Sequence, residues 1–411
     1  MGKRLAYALL TLGATAAGQF CLRCLTQAQG TFARFARGTW ISAVDESGIA
    51  HEALLYVPRD VAPAAQLALV FSYHAFGSTP ELHEMLSGVS KLADREGFAV
   101  LMPRGAKAPY PMVGFAFNAG GCCPTVQPGP DHSAAVPALL AAAQAALQPL
   151  VVDADRIFVL GMSNGAMMAA RAAASHPALF AAAATVSGVL LSAPPRACQS
   201  ATTNNNNTHN NNTHTHNNSN SNNKDSNSNN SNNNKDNNKS PPQVPMLHFH
   251  GLHDPIVPHT GRGPRAGWFP HSKLPSVDEY VRDWVREQGG EMLESPLKSY
   301  AQGDVECAGH ASGINVTVCT VASGGHTWQG GPLCCGKPGY VFGCSRHIDA
   351  TEEIWTFFQA QGKVRPHALE QGFGHHMLAS LFEQEVGHMH LSKNLATCWR
   401  ACLNKRSATC I

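Results

Sequence analysis

Charged side chains are scarce in this sequence. Asp, Glu, Lys and Arg make up 14% of its 411 residues, and the formal net charge is +2. No basic stripe runs along any segment, so the electrostatic footprint of a nucleic-acid binder is missing. Long apolar runs are missing too. None reaches the ~20 residues that a membrane-spanning helix needs, so no membrane partner is expected. The 13 cysteines lack the paired C-x-x-C spacing of a structural zinc site, which occurs only at Cys21/Cys24. We therefore expect neither a metal nor a cofactor. Apolar content of 44% is nonetheless ample for a sizeable core.

The N-terminus reads as a processing signal. Lys3-Arg4 is a short basic region, residues 5–18 are apolar, and Ala14-Thr15-Ala16 or Thr26-Gln27-Ala28 would precede cleavage. Residues 1–28 are expected to form a secretory signal peptide. Export makes disulfides the natural use of the eleven cysteines beyond Cys24. Cys122-Cys123 are expected to be structural, with Cys198 as one partner, and Cys398, Cys402 and Cys410 to staple the tail.

Strand and helix signals alternate through the middle of the chain. Residues 31–58 read as a β-hairpin, and 67–73 as a buried strand with apolar side chains on both faces. A helix (81–96), a strand (98–102), a Gly/Pro-rich loop (105–130) and an Ala-rich helix (131–147) follow. The turn-like 152–155 precedes a strand at 157–160. Further strands are read at 180–189, 245–250 and 314–321, with helices at 277–287 and 350–361. This βαβ alternation implies a doubly wound, mainly parallel α/β sheet. The exception is 204–239, which contains no apolar residue and cannot bury surface. Sequons occur there at Asn206, Asn211, Asn217, Asn229 and Asn238, and elsewhere at Asn315, so an exported eukaryotic chain could carry glycans.

Gly161-Met162-Ser163-Asn164-Gly165 joins the 157–160 strand to a small-residue helix at 166–174. Strand, sharp turn and helix around G-x-S-x-G are the context of a nucleophile elbow, so Ser163 is the expected nucleophile. A serine hydroxyl needs a base, and the base needs an orienting carboxylate. In this arrangement the partners follow in the order Asp, then His, after later strands. Asp254 follows the 245–250 strand, and His326 lies in a glycine-flanked loop after 314–321. Asp304 competes for the acid role, and His253 or His310 for the base. The oxyanion would be held by the backbone N–H of Asn164 and by an amide of Ala75 or Phe76, in the loop after 67–73. His248 and His250 share one face of their strand; a catalytic metal there has the wrong residue order, and core packing is the better reading.

Four motifs together carry a family resemblance: FNAGGCCP, GMSNGAMMA, HGLHDPIVP and GGHTWQGG. Residues 39–361 resemble the secreted esterase/polyhydroxybutyrate depolymerase family, which includes feruloyl esterases, acetylxylan esterases and short-chain polyhydroxyalkanoate depolymerases. The resemblance implies an α/β-hydrolase fold over 31–362, interrupted by the 200–240 insertion and followed by a Cys-containing extension at 365–411. It implies metal-free hydrolysis of carboxylic esters by Ser163, Asp254 and His326. Phe76 matches the oxyanion-loop amide, and Trp328 an aromatic beside the base that would contact substrate. Two positions depart from the pattern: Ala75 replaces the usual glycine after His74, and Gln329 replaces a proline. The implied function is a secreted feruloyl or acetylxylan esterase acting on plant-type polysaccharide esters. A polyhydroxybutyrate depolymerase, a serine peptidase and an inactive binding protein on the same fold are the alternatives.

The insertion has no apolar side chain with which to dock on a catalytic domain. Deleting 204–239 should therefore leave turnover of a small ester nearly intact; a large loss of kcat in the deletion variant would contradict this.

Overall fold

A computed structural model describes residues 38–62, 65–108, 113–119, 132–190, 243–261, 274–334 and 342–362. The expected signal peptide, the Asn-rich insertion, the extension at 365–411, Cys122-Cys123 with Cys198, and much of the 105–130 loop lie outside the described residues. The chain divides into two units, Met1–Lys363 and Val364–Ile411, and all described residues belong to the first.

The first unit opens with the hairpin β1 (Thr39–Val44) and β2 (Ala50–Tyr56), then β3 (Gln66–Tyr73). The helix expected at 81–96 is two helices, α1 (Pro80–Ser87) and α2 (Val89–Glu96). Gly88 between them has φ 65°, a left-handed angle that ends one helix and redirects the chain into the next. Next come β4 (Ala99–Arg104), the two-residue strands β5 (Ala106–Lys107) and β6 (Phe115–Ala116), and α3 (Ala135–Leu147). The elbow segment is β7 (Val151–Met162) and α4 (Asn164–Ser175). β8 (Ala182–Val186), β9 (Met246–Gly251), α5 (Val277–Glu287), β10 (Glu291–Gln302), β11 (Val305–Ser312), β12 (Val316–Val321) and α6 (Ala350–Ala360) complete it.

Ten strands form one sheet in the order β1-β2-β4-β3-β7-β8-β9-β12-β11-β10. The six central strands, β4 to β12 in that order, run parallel. Antiparallel pairs flank them, β1–β2 on one edge and β11–β10 on the other. The doubly wound, mainly parallel α/β-hydrolase sheet expected from the sequence is thus what the chain forms. The β10–β11 pair was not foreseen. β10 is exposed along nearly its whole length, so it carries no apolar alternation to mark it as a strand.

Residues 152–155 are turn-like, yet they sit inside β7 rather than before it. The β3–β7 register jumps from Leu67↔Val152 to Leu69↔Ile157, so the acidic residues bulge out of the ladder. Asp153 closes the bulge by accepting from the Asp155 N–H and pairing with Arg156.

Alternating side chains of the central strands feed two apolar layers. Leu67, Leu69, Phe71 and Tyr73 face a layer that α3, α4 and α5 cover with Leu139, Met168 and Trp284. Ala68 and Val70 face the other layer, covered by α2 and α6 through Leu92, Trp355 and Phe358. Polar termini close the helices: Thr79 accepts from Leu82 N at α1, Ser276 and Glu279 form a reciprocal capping box at α5, and Asp349 caps α6.

Cys307 and Cys319 face each other across β11 and β12 and form a disulfide. Cys334–Cys344 is the other disulfide among the described residues.

Phe158 of β7 is fully buried and stacks on Phe358 with centroids 4.6 Å apart, joining sheet to α6. Phe158→Ala should lower the unfolding free energy by about 3–5 kcal/mol in chemical denaturation. A loss under ~1 kcal/mol would show that this contact does not hold the layer.

Candidate active site

Ser163 sits where β7 becomes α4, with φ 55° and ψ −121°. A left-handed serine costs about 1–3 kcal/mol and persists only where its surroundings fix it. Here they do. A Cβ on Gly165 would lie 2.2 Å from the Tyr73 carbonyl oxygen, and one on Gly161 2.2 Å from the Gly165 oxygen. Both glycines of the motif are therefore required by direct backbone contact. The same contact presses the elbow against the end of β3, beside the loop carrying Ala75 and Phe76. Ser163 N–H donates to the Val186 carbonyl (2.8 Å), locking the elbow to β8. Asn164 grips the 113–119 segment from the other side: its side chain accepts from Phe117 N–H (2.8 Å) and donates to Phe117 C=O (3.0 Å).

Asp254 follows β9 and His326 follows β12, a parallel neighbour. The two loops are zipped together, with Leu252 N–H donating to Val321 O and His253 N–H to Gly324 O. This brings His326 Nδ1 to 2.8 Å from Asp254 Oδ2. The other carboxylate oxygen accepts from Ile256 and Val257 N–H, both at 2.9 Å. Burial works against charge on Asp254. The facing His326, its hydrogen bond, His250 and the Val257 amide outweigh that and hold the carboxyl below its usual range. An ionised carboxylate only accepts, so His326 carries a proton on Nδ1, and in the neutral ring Nε2 is the bare nitrogen. That is the tautomer of a general base.

Ser163, Asp254 and His326 thus stand at the carboxyl ends of β7, β9 and β12, with only β8 between the first two. Each is nearly enclosed, at 5%, 3% and 6% exposure. Ser187, just past the end of β8, donates from its hydroxyl to the Thr327 carbonyl (3.4 Å), joining the elbow side to the His326 loop. The competitors lie elsewhere. Asp304 is engaged by Ser323, Ser345 and His347, His253 is exposed and bonded to the Ala322 carbonyl, and His310 lies half-buried on β11.

The loop after β3 closes on itself. Ala75 O accepts from Ser78 N–H (3.2 Å) and lies 2.8 Å from His74 Nδ1, while His74 Nε2 accepts from Gly105 N–H (3.1 Å). The Phe76 N–H belongs to the same trans peptide as that carbonyl, so it points the opposite way. Ala75 in place of glycine is compatible with this turn.

Trp328, expected to contact substrate, is 1% exposed and packs in the core. Its Nε1–H donates to Thr351 Oγ1 (2.9 Å), and its ring packs edge-on to His83. It braces the His326 loop against α6. Gln329 holds the same loop, donating to Gly325 O and accepting from Ser345 N–H.

The chain thus has an α/β-hydrolase fold, with a serine at the turn from β7 to α4 and a paired Asp254 and His326. Comparison with known proteins gives partial matches of the same kind. A model of the prolyl oligopeptidase family matches residues 133–261, less than a third of the chain. "Putative esterase NocK" of Nocardia uniformis subsp. tsuyamanensis is 28% identical over 309 residues, 71% of this chain and 73% of that protein. An acetylxylan esterase of Coprinopsis cinerea is 32% identical over 160 residues, 36% of this chain and 40% of that protein. "Probable acetylxylan esterase A" of Aspergillus fumigatus is 28% identical over 37% of each chain. The match to these fungal esterases thus spans about two fifths of their length. The solved acetyl xylan esterase from Aspergillus awamori aligns with 71% of this chain and 94% of its own at 18% identity, with a TM-score of 0.44.

Four histidines around the site are fully buried: His74, His83, His248 and His250. Burial pushes each down, His74 and His250 to about 4, His83 to about 3 and His248 well below its ordinary value. In the unfolded chain each binds a proton near pH 6.5. Between about pH 6.5 and 4 the unfolded state therefore holds more protons, and stability falls as pH falls, by ~1.4 kcal/mol per pH unit for each such proton. Denaturant midpoints should drop steeply from pH 7 to pH 5. Equal midpoints would mean that these rings are charged in the fold.

Proposed function

We propose that this chain is a secreted serine ester hydrolase that works through an acyl-enzyme. The observation that carries this reading is the buried Asp254–His326 pair, at 2.8 Å, two strands from the left-handed Ser163. In the first step His326 Nε2 takes the Ser163 Oγ proton as Oγ bonds to the ester carbonyl carbon. The resulting oxyanion is received by the N–H groups of Asn164 and Phe76, the latter oriented by the turn at Ala75. The carbon–alkoxy bond then breaks, and the alcohol leaves with the proton held by His326. In the second step His326 takes a proton from water, whose oxygen attacks the acyl carbon. The Oγ–carbon bond breaks, Ser163 recovers the proton and the carboxylic acid departs. Asp254 holds the imidazole in the Nδ1–H tautomer throughout and offsets the charge of the imidazolium.

For the substrate we favour an acyl ester on a plant-type polysaccharide, of the acetylxylan or feruloyl type. The four ordered motifs and the relatives named as acetylxylan esterases support it. A polyhydroxybutyrate-type polyester is the alternative on the same chemistry. Peptide amides are a second reading, favoured by the partial match to the prolyl oligopeptidase family across Ser163 and Asp254. The disulfides Cys307–Cys319 and Cys334–Cys344 suit an oxidising compartment and support export.

One assay panel separates these readings. An aryl acetate should be hydrolysed readily, a peptide anilide hardly at all, and chelation should change nothing. Acetylated xylan, methyl ferulate and a hydroxybutyrate oligomer then rank the acyl group. Ser163→Ala should cut kcat on the aryl acetate by on the order of 10⁴ or more. Anilide turnover exceeding ester turnover would move the reading to a peptidase, and Ser163→Ala with full activity would refute it.

A further inference from the structure

His248 and His250 lie on one face of β9 with no solvent exposure, and neither takes part in the chemistry proposed above. Their hydrogen bonds fix a direction. His250 Nε2 lies 2.7 Å from the Val257 carbonyl, which can only accept, so Nε2 carries the proton. In a neutral ring Nδ1 is then bare. His248 Nε2, 3.0 Å from that Nδ1, must donate to it. His248 Nδ1 is bare in turn and receives the Thr185 hydroxyl at 2.8 Å. One chain of donors therefore runs from Thr185 on β8, through His248 and His250 on β9, to Val257 in the Asp254 loop. Both rings remain neutral, because burial disfavours their charged forms.

The end of this chain matters for the dyad. The N–H of Val257 donates to Asp254 Oδ1, so the residue that His250 grips by its carbonyl holds the carboxylate by its amide. His250 Nε2 is also only 3.7 Å from Asp254 Oδ2, the oxygen that His326 uses. Committed to Val257, the His250 N–H does not compete with His326 for it. We propose that His250, oriented by His248 and Thr185, is a positioning residue that sets the Asp254 carboxylate so that Oδ2 serves His326 alone. This rests on the triad reading above and adds a second tier to it. The titratable groups facing His250 are Asp254, His248, His259 and His326.

The test compares His250→Phe, which keeps a ring without a donor, with His250→Gln, which keeps an N–H near the Nε2 position. On an aryl acetate, His250→Phe should lower kcat by about 10²-fold with KM within threefold. A loosely held Asp254 stabilises the imidazolium of His326 less. The acidic limb of the kcat/KM profile should therefore move to lower pH, a change that general loosening of the core would not give. His250→Gln should recover most of the rate and return the limb towards its original place. Wild-type kcat in His250→Phe, or a rate loss with an unmoved limb, would overturn the proposal.

Should His250→Phe fail to fold, the wild-type protein decides. Selective ¹⁵N-histidine NMR near pH 6, assigned by the single variants His248→Gln and His250→Gln, should show both rings neutral with the proton on Nε2. An Nδ1–H tautomer or a protonated ring at either position would overturn the proposal. The two hypotheses fail separately: loss of the triad reading shows as full activity in Ser163→Ala, whereas loss of this one shows in the tautomers and the acidic limb.

Discussion

The elbow of the candidate site depends on a close approach of backbone to backbone. The left-handed turn at Ser163 exists because Gly165 can lie against the end of β3 and Gly161 can lie against Gly165. Side chains at either position would drive α4 off the sheet. The contact also sets the loop after β3 beside Ser163, since the carbonyls that Gly165 touches are those of Tyr73 and His74. One packing constraint thus places both Ser163 and the loop that carries Ala75 and Phe76.

The other half of the site is held by hydrogen bonds rather than by contact. Asp254 spends one oxygen on two backbone amides and the other on His326. Its loop is joined to the His326 loop by backbone bonds, and that loop is joined to α6 by Trp328 and Gln329. A carboxylate so enclosed would be costly without partners; with them its charged form is favoured. The segment around Cys334–Cys344 adds to the same bracing, with Gly325 N–H donating to Gly343 O.

Local signals made the elbow and the dyad legible in sequence. G-x-S-x-G stands between an apolar run and a small-residue helix, and Asp254 and His326 each follow an apolar strand in the expected order. What failed was legible only in three dimensions. β10 is an exposed edge strand without alternation, so its sequence looks like loop. Residues 152–155 form a true local turn, but in a bulge within a strand. Trp328 lies two residues from His326 in the chain and packs in the core, a placement that proximity along the sequence does not give. The direction of the His248–His250 chain follows only from what each ring nitrogen faces.

The catalytic claim is tested most directly by trapping the covalent intermediate. Protein mixed with an activated ester and quenched in acid within the first turnovers should carry the acyl group on the peptide containing Ser163. Ser163→Ala should carry none. Turnover without any acylated peptide under conditions that would trap it, or acylation at a different residue that persists in Ser163→Ala, would contradict the account.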